Sequence, residues 1–215
     1  MSVCKFDPAR DCALCPRLVA FRRTNEEAKP DWFNGAVPSF GAANPKLLIV
    51  GLAPGLQGAN RTGRPFTGDF AGNLLYATLL KSGLARGLYG READDGIMLV
   101  DTLITNAVRC VPPANKPTPA EIATCNVFLI DALKNLTACR AILALGKIAH
   151  DAVLRATSVP LSAHPFAHGA IHALQGGRHV IDSFHCSRLN TNTGRLTPDM
   201  FEKVVAAAKS KAGLA

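Results

Sequence analysis

Short apolar runs alternate with segments of helical periodicity along most of this chain. An apolar run of about four to eight residues that stops at glycine or a polar residue is typical of a buried strand. Four such strands are predicted, at residues 47–50, 97–106, 141–145 and 179–184. Helices are predicted at residues 70–82, 118–137 and 147–156, with a last one that opens at Thr197. The Thr-Pro-Ala-Glu sequence at 118–121 supports the second helix, because Thr is a preferred N-cap and Glu completes a capping box.

Strands that alternate with helices predict a parallel sheet with helices on both faces, which places the chain in the α/β class. A length of 215 residues is enough for one domain and does not require a second. In such folds, ligands bind beyond the carboxyl ends of the strands. The loops that follow Val50, Thr105 and Phe184 are therefore expected to meet at one site.

Composition narrows the class of protein. Hydrophobic residues make up 48% of the chain, which suits a packed core and not a disordered chain. The formal net charge of +8 fits a polyanionic partner such as nucleic acid, although many basic proteins bind none. No stretch approaches the ~18 apolar residues of a membrane span, and residues 1–12 lack the apolar core of a secretory signal. We therefore expect a cytoplasmic protein with no membrane contact, whose cysteines stay reduced.

Four of the seven cysteines have a spacing that suits a metal centre. Cys12 and Cys15 form a C-x2-C pair, and 14 residues separate Cys110 from Cys125 further along the chain. Two thiolates in a turn, joined by two more, can hold zinc or an iron–sulfur cluster, and the residues alone leave both open. The single C-x2-C pair weakly disfavours zinc. Alternatively these cysteines are buried free thiols, which is the interpretation that we prefer for Cys139.

The segment between the first strand and the first predicted helix, residues 51–69, has an unusual composition for a structural connection. It holds five glycines, which let a backbone approach a ligand closely. Its arginines, Arg61 and Arg64, can contact phosphates, and Phe66 can stack on a base. Connections longer than ~12–15 residues are usually functional or disordered. We therefore expect a ligand-binding loop here.

Two motifs in this chain resemble those of a known enzyme family. Residues 51–69, which include G-L-A-P-G and G-A-N-R-T-G-R-P-F-T-G-D, resemble the first motif of the family 5 uracil-DNA glycosylases, the prokaryotic group called type b. Residues 185–197, H-C-S-R-L-N-T-N-T-G-R-L-T, are similar to the second motif of that family. The cysteine spacing resembles the cluster ligands of families 4 and 5, and Asn106 matches an asparagine near the end of their second strand. The resemblance runs from Cys12 to Thr197.

The resemblance implies a single domain over residues 1–215, a three-layer α/β/α sandwich around a four-stranded parallel sheet, with an N-terminal iron–sulfur-ligating segment. It implies a 4Fe–4S cluster on Cys12, Cys15, Cys110 and Cys125. The implied reaction is hydrolysis of the N-glycosidic bond of uracil in DNA during base excision repair, which leaves an abasic site. Hypoxanthine and xanthine are further deaminated bases that such enzymes accept. The implied setting is a prokaryotic, nucleoid-associated monomer that acts on double- and single-stranded DNA containing uracil.

The resemblance also implies roles for residues of a base-binding pocket. His185 is expected to stabilise the negative charge that builds on the leaving base. Asn106 is expected to read the uracil edge, and Phe66 to stack on the ring. Further substrate contacts are expected from Gly51, Leu52 and Ala53.

Asp69 has two interpretations. Ala53 stands where many related glycosylases have Asp or Asn to position the attacking water, so Asp69 is the remaining carboxylate of the first motif. It matches an aspartate for which that catalytic role is proposed in family 5. Asp is also a preferred N-cap, and a helix is predicted to begin at Phe70. Both roles can hold together, and the sequence leaves them open.

The second motif is expected to face DNA. By its position, Leu189 is the apolar wedge that enters the gap left by a flipped base. The expected DNA contacts, for which each arginine could instead be an ordinary solvated charge, are Arg61, Arg64, Ser187, Arg188 and Arg195. Cys186, which replaces a proline common in relatives, is interpreted as a small packed thiol. His150 and His179 are interpreted as structural.

Two other classes of protein fit part of this pattern. A non-catalytic nucleic-acid-binding module would keep the cysteines and the basic surface but would be expected to lack His185 or Asn106, and this chain has both. A superfamily member that links covalently to DNA through a histidine carries an inserted loop before the second motif, and no such loop is recognised here.

Overall fold

A computed structural model describes residues 4–215 of the chain. The helices in this range are α1 (Pro16–Ala28), α2 (Ala59–Thr62), α3 (Phe70–Lys81), α4 (Pro119–Asn135), α5 (Lys147–Ala156), α6 (Arg188–Asn192) and α7 (Pro198–Lys211). The strands are β1 (Phe40–Gly41), β2 (Leu47–Gly51), β3 (Ala85–Arg86), β4 (Met98–Leu99), β5 (Thr102–Asn106), β6 (Ala141–Leu145), β7 (Ile171–Ala173) and β8 (His179–Ser183). None of the helices in the described range is long and apolar enough to cross a membrane.

The main sheet has six strands in the order β1-β5-β2-β6-β8-β7. Its four central strands are the predicted ones, and they pair in parallel. The edge strands β1 and β7 are antiparallel and extend the expected four-stranded sheet. They escaped prediction because each has only two or three residues and lacks a buried apolar run. The α/β class is confirmed, and the strand count is corrected to six.

Helices cover both faces of this sheet. On one face, α3 and α7 pack on Leu47 and Ile49 of β2, and on the other face, α4 and α5 pack on Leu48 and Val50. All four of these strand residues have no exposed surface. Fully burying such a side chain is worth about 1.5–3 kcal/mol, so a strand buried on both sides requires an uninterrupted apolar run. This packing gives the three-layer arrangement. It also explains why the central strands could be predicted from the sequence.

Two sequence predictions need correction. The predicted strand at 97–106 is broken, because Asp101 adopts a left-handed conformation with φ of 47°. Its first part, β4, pairs with β3 in a separate two-stranded sheet, and only β5 joins the main sheet. Helix α1 was not predicted, because most of its side chains are exposed and its apolar residues form one short run, residues 18–21, that does not repeat along the helix. It packs through Leu18 against the cysteine-containing end of the molecule.

Candidate active site

The carboxyl ends of three parallel strands meet at one cavity, as expected from the topology. The chain leaves β2 at Gly51, which is the register partner of Asn106 at the end of β5, and it leaves β8 two residues before His185. The cavity encloses about 240 Å3, including the open space at its mouth. Its walls include Ala53, Pro54, Phe66, Asp69, Asn106 and His185. Five of these six were predicted as site residues from the sequence.

Phe66 is held in an unusual backbone conformation at the wall of this cavity. Its φ is 55°, a left-handed value that a bulky residue adopts only when its surroundings enforce it. The Tyr89 hydroxyl donates to the Phe66 carbonyl oxygen at 3.0 Å. The Phe66 ring packs on the His185 ring, with the two planes inclined at 29° and the centroids 5.9 Å apart. Tyr89 therefore supports the pocket, although no motif in the sequence pointed to it.

Asn106 presents an unpaired acceptor to the cavity. The residue is 4% exposed, and within residues 4–215 no donor reaches its side-chain oxygen Oδ1. Gly51 makes this arrangement possible, because a Cβ atom at that position would collide with both Asn106 Oδ1 and the Phe66 ring. A buried acceptor without a donor is costly, at about 1–3 kcal/mol, and its presence in a pocket indicates a ligand with an N–H or O–H group.

His185 follows β8 and lines the cavity. Burial lowers the pKa of its imidazole to about 4, so the ring is neutral at physiological pH. The Asn190 side chain donates to the His185 carbonyl oxygen at 2.8 Å and ties this residue to helix α6. A neutral imidazole can donate one N–H without bringing a positive charge into the pocket, which suits it to stabilise a developing anion.

Asp69 caps a helix and lines the cavity at the same time. Its Oδ1 accepts from the Gly72 backbone N–H at 3.3 Å, at the N-terminus of α3. Burial raises the pKa of this carboxyl, although the N–H groups of Gly72 and Ala71 lower it in part. The carboxylate packs so closely on Gly58 that a Cβ atom there would collide with it. The geometry is compatible with both interpretations of Asp69.

A second and wider cleft lies on the other side of His185. It encloses about 660 Å3, again including the open space at its mouth, and shares His185 with the first cavity. Its lining is largely apolar and includes Leu52, Leu145, Phe166 and Phe184. The Arg195 guanidinium lies 4.5 Å from the centre of the Phe184 ring at its edge. The sequence motifs had identified Leu52 and Arg195 but neither phenylalanine.

The second-motif residues that were expected to face DNA lie mostly at the surface. Leu189, on the short helix α6, is 72% exposed, and Arg188 beside it is also exposed. The Ser187 hydroxyl caps α6 by accepting from the Asn190 N–H at 3.5 Å. Arg61 is partly exposed and forms a bidentate ion pair with Glu92, with N–O distances of 2.8 and 2.9 Å.

Arg64 does not fit its expected role as a phosphate contact. Its side chain is 1% exposed and pairs with the buried Asp95 at 2.7 Å. It also donates to the Thr67 hydroxyl at 2.7 Å and lies over the rings of Phe40 and Tyr76. The guanidinium is therefore an internal brace of the glycine-rich loop, and it cannot reach a phosphate without breaking a buried ion pair, at a cost of about 3–5 kcal/mol.

The four cysteines predicted as metal ligands line one largely apolar pocket. It contains Cys12 and Cys15 before and at the start of α1, together with the buried Cys110 and Cys125. Two N–H groups point at sulfur: the guanidinium of Arg22 lies 3.5 Å from Cys110 Sγ, and the backbone N–H of Arg109 lies 3.3 Å from Cys125 Sγ. Hydrogen bonds to sulfur in an apolar shell are the surroundings in which thiolates hold a metal or an iron–sulfur cluster. These residues therefore fit such a group.

The other two buried cysteines are not part of this pocket. Cys139 and Cys186 have no exposed surface and pack in the apolar layers on the two faces of the sheet. Both match the interpretation of a small packed thiol.

The chain is similar to known uracil-DNA glycosylases over most of its length. The model of the "Uracil DNA glycosylase superfamily" matches residues 38–209. The type-5 uracil-DNA glycosylase of Thermus thermophilus is 46% identical over 209 residues, which cover 94% of this chain and 94% of that protein. The type-5 enzyme of Mycobacterium leprae is 41% identical, over 94% of this chain and 92% of its own length. A type-4 uracil-DNA glycosylase of Thermotoga maritima is 32% identical, over 85% and 80% respectively.

Proposed function

The chain belongs to the uracil DNA glycosylase superfamily, and we propose that it hydrolyses the N-glycosidic bond of uracil in DNA and leaves an abasic site for base excision repair. Relatives named type-5 uracil-DNA glycosylase, which are similar over nearly the whole chain, support this activity. The observation that carries it is the buried Asn106 Oδ1 without a donor in the cavity. Uracil offers an N–H beside a carbonyl, and an amide side chain pairs with both.

Base recognition requires that the nucleotide leave the helix, because the glycosidic bond is inaccessible inside a duplex. Phe66 stacks on the flipped base, a contact worth about 1–3 kcal/mol. Asn106 accepts the uracil N–H. The backbone of Gly51, Leu52 and Ala53 forms the floor. Ala53 is small and apolar, so the pocket also admits larger deaminated bases such as hypoxanthine and xanthine.

The reaction separates charge between sugar and base. As the bond to C1′ breaks, the sugar becomes oxocarbenium-like and the base gains negative charge. The neutral His185 donates a hydrogen bond to the uracil oxygen and stabilises this anion. Asp69 accepts a hydrogen bond from the attacking water and favours the positive charge on the sugar.

The protein contacts DNA through the second motif. The exposed Leu189 fills the gap left by the flipped base, as apolar wedges do in kinked duplexes. Ser187, Arg188 and Arg195 contact phosphates. Arg61 also contacts a phosphate, which replaces Glu92 as its ion-pair partner. Both double- and single-stranded DNA are substrates. The enzyme acts as a monomeric, single-domain protein on the nucleoid in the cytoplasm.

The cysteine pocket holds a 4Fe–4S cluster through Cys12, Cys15, Cys110 and Cys125. A cluster bound there would tie the segment before α1 to the loop after β5 and to the second turn of α4, which would stabilise the fold. Arg22 and the Arg109 backbone donate to its ligating sulfurs.

A single-turnover assay on uracil-containing DNA tests the proposal. The parent protein should produce abasic sites that alkali cleaves. His185→Ala should slow excision by ~10²–10³-fold, the loss of about 2.7–4 kcal/mol measured for comparable oxyanion donors. Its affinity for DNA should stay within about threefold.

Two outcomes would contradict the proposal. Binding of uracil-containing DNA by the parent without any abasic product would identify a non-catalytic module. A product that stays attached to protein on a denaturing gel would identify the covalently linking class.

A further inference from the structure

A second group of polar side chains is buried behind the candidate active site. Asp182, on β8 three residues before His185, has no exposed surface. Its carboxylate contacts His150 Nδ1 at 2.7 Å and His172 Nε2 at 3.0 Å, from α5 and β7 respectively. His164 lies beside them, with its ring 4.9 Å from that of His172. The catalytic chemistry uses none of these residues.

The contacts of His150 determine how many protons it carries. Its Nδ1 faces the carboxylate of Asp182, and its Nε2 lies 2.9 Å from the backbone carbonyl oxygen of His164. A carbonyl oxygen only accepts hydrogen bonds, so Nε2 must carry a proton. Asp182 Oδ2 also accepts from the Ala167 N–H at 3.4 Å and lies 3.0 Å from His172 Nε2, contacts that suit an ionised carboxylate. The Nδ1 proton therefore resides on His150, which is an imidazolium paired with Asp182.

The distances between Asp182 and the two histidines favour hydrogen bonds over a shared metal ion. Two zinc ligands at about 2.0–2.1 Å in a tetrahedral site lie about 3.3 Å from each other. The contacts of 2.7 and 3.0 Å to Asp182 are hydrogen-bond lengths instead.

This cluster holds residues 164–170 against the end of β8. The Gly169 N–H donates to the Asp182 carbonyl oxygen at 2.8 Å, and the Asp182 N–H donates to Ala170 at 3.0 Å. One residue before His185, the Phe184 N–H donates to His168 Nδ1 at 3.1 Å, and the two rings stack at 4.9 Å. The backbone immediately before His185 thus depends on this segment for its position.

We propose that His150 is a positioning residue for His185: as an imidazolium bound to Asp182 and to the His164 carbonyl, it fixes residues 164–170 and through them Phe184 and His185. The catalytic part of this statement rests on the proposed glycosylase function, and the charge of His150 does not.

The charge of His150 should depend on pH in one direction. The groups that face it are Asp182 from β8, His172 from β7, the His164 carbonyl, and Asp151 on its own helix. Burial alone would lower its pKa, but the hydrogen bond and charge of Asp182 outweigh it, and the pKa is raised. Its stabilising effect is therefore complete below the ordinary value of about 6.5 and is lost as pH rises through the folded value. His185, with a pKa of about 4, cannot cause such an alkaline loss.

Nitrogen-detected NMR of the parent protein, purified without added metal, tests the charge directly. Both imidazole nitrogens of His150 should be protonated at pH 7. A His150 with one protonated nitrogen at that pH would overturn the proposal. So would stoichiometric zinc that disappears in His172→Ala.

Kinetics of His150→Asn test the positioning role. Asn can still donate to Asp182 but cannot reach the His164 carbonyl and carries no charge. We expect a single-turnover rate about 10-fold lower with unchanged DNA affinity, since misplacing a catalytic group by ~1 Å can cost ~10²-fold. The parent rate should fall as pH rises through the pKa of His150, and this fall should be absent from the variant. The added substitution Asp182→Asn removes the unpaired charge and should restore part of the rate. His179→Asn, at the other end of β8, is the matched control and should keep the parent rate.

The outcomes separate the two proposals. A parent rate in His150→Asn would overturn the positioning role even if NMR finds the imidazolium. Absence of uracil excision in the parent would contradict the proposed function, while the NMR result would still decide the charge of His150.

Discussion

Replacing Asp69 with Asn separates the two roles that its position allows. The carboxylate accepts from the Gly72 N–H at 3.3 Å and also lines the cavity with Asn106 and His185. Asn has nearly the same shape and is as good an N-cap, so the start of α3 should survive. What the substitution removes is the negative charge and the ability to accept a proton from water.

Activity and stability should move in opposite directions in this variant. Loss of general-base assistance predicts excision slower by at least ~10²-fold. Burial raises the pKa of Asp69, so the folded protein holds the ionised carboxylate less favourably than the unfolded chain does. The contribution of such a group is complete below the unfolded value of about 3.9 and is lost as pH rises through the folded pKa. At pH 7 the Asn variant should therefore unfold at a higher temperature than the parent, and this difference should vanish at low pH.

Single-turnover excision and thermal unfolding at several pH values would measure both effects. Thr118→Ala is a matched control, because it removes a cap of the same kind, which accepts from the Glu121 N–H at 3.2 Å at the start of α4. It should lose about 1 kcal/mol of stability and keep the parent rate. If Asp69→Asn excises uracil at the parent rate while Asp69→Ala is destabilised, then Asp69 is only a cap, and the reasoning about water is wrong.

Two further predictions concern the cluster and the wedge. Anaerobically purified protein should contain about four irons per chain. Cys110→Ala should lose this iron, while Cys139→Ala, which changes a buried thiol outside the pocket, should keep it. Stoichiometric zinc without iron would refute the cluster. Leu189→Ala should slow excision from duplex DNA about 10-fold and leave the rate on single-stranded DNA unchanged, because only the duplex requires a base to be unpaired. Leu88→Ala, which changes another exposed leucine (73%), is the control. Equal slowing on both substrates would contradict a wedge.

The central strands and the pocket motifs could be predicted from the sequence because their physical constraints are local. A strand buried on both faces must be apolar along its length, as in Ala141–Leu145, which the structure gives with the predicted bounds. The edge strands and α1 could not be predicted, because they are short or mostly exposed, and their sequences carry no apolar periodicity.

The sequence by itself determined which residue types surround the pocket, since glycine, amide, imidazole and carboxylate each follow a strand or sit in its loop. Only the tertiary structure decided what each charged group does. Arg64 and Arg61 look alike in the sequence, but the Asp95 that buries Arg64 comes from a segment 31 residues away. His150 looked like an ordinary structural histidine until Asp182 and the His164 carbonyl, 32 and 14 residues distant, were found at its two nitrogens. Partners of this kind are set by how strands and helices pack, and no local pattern in the chain records them.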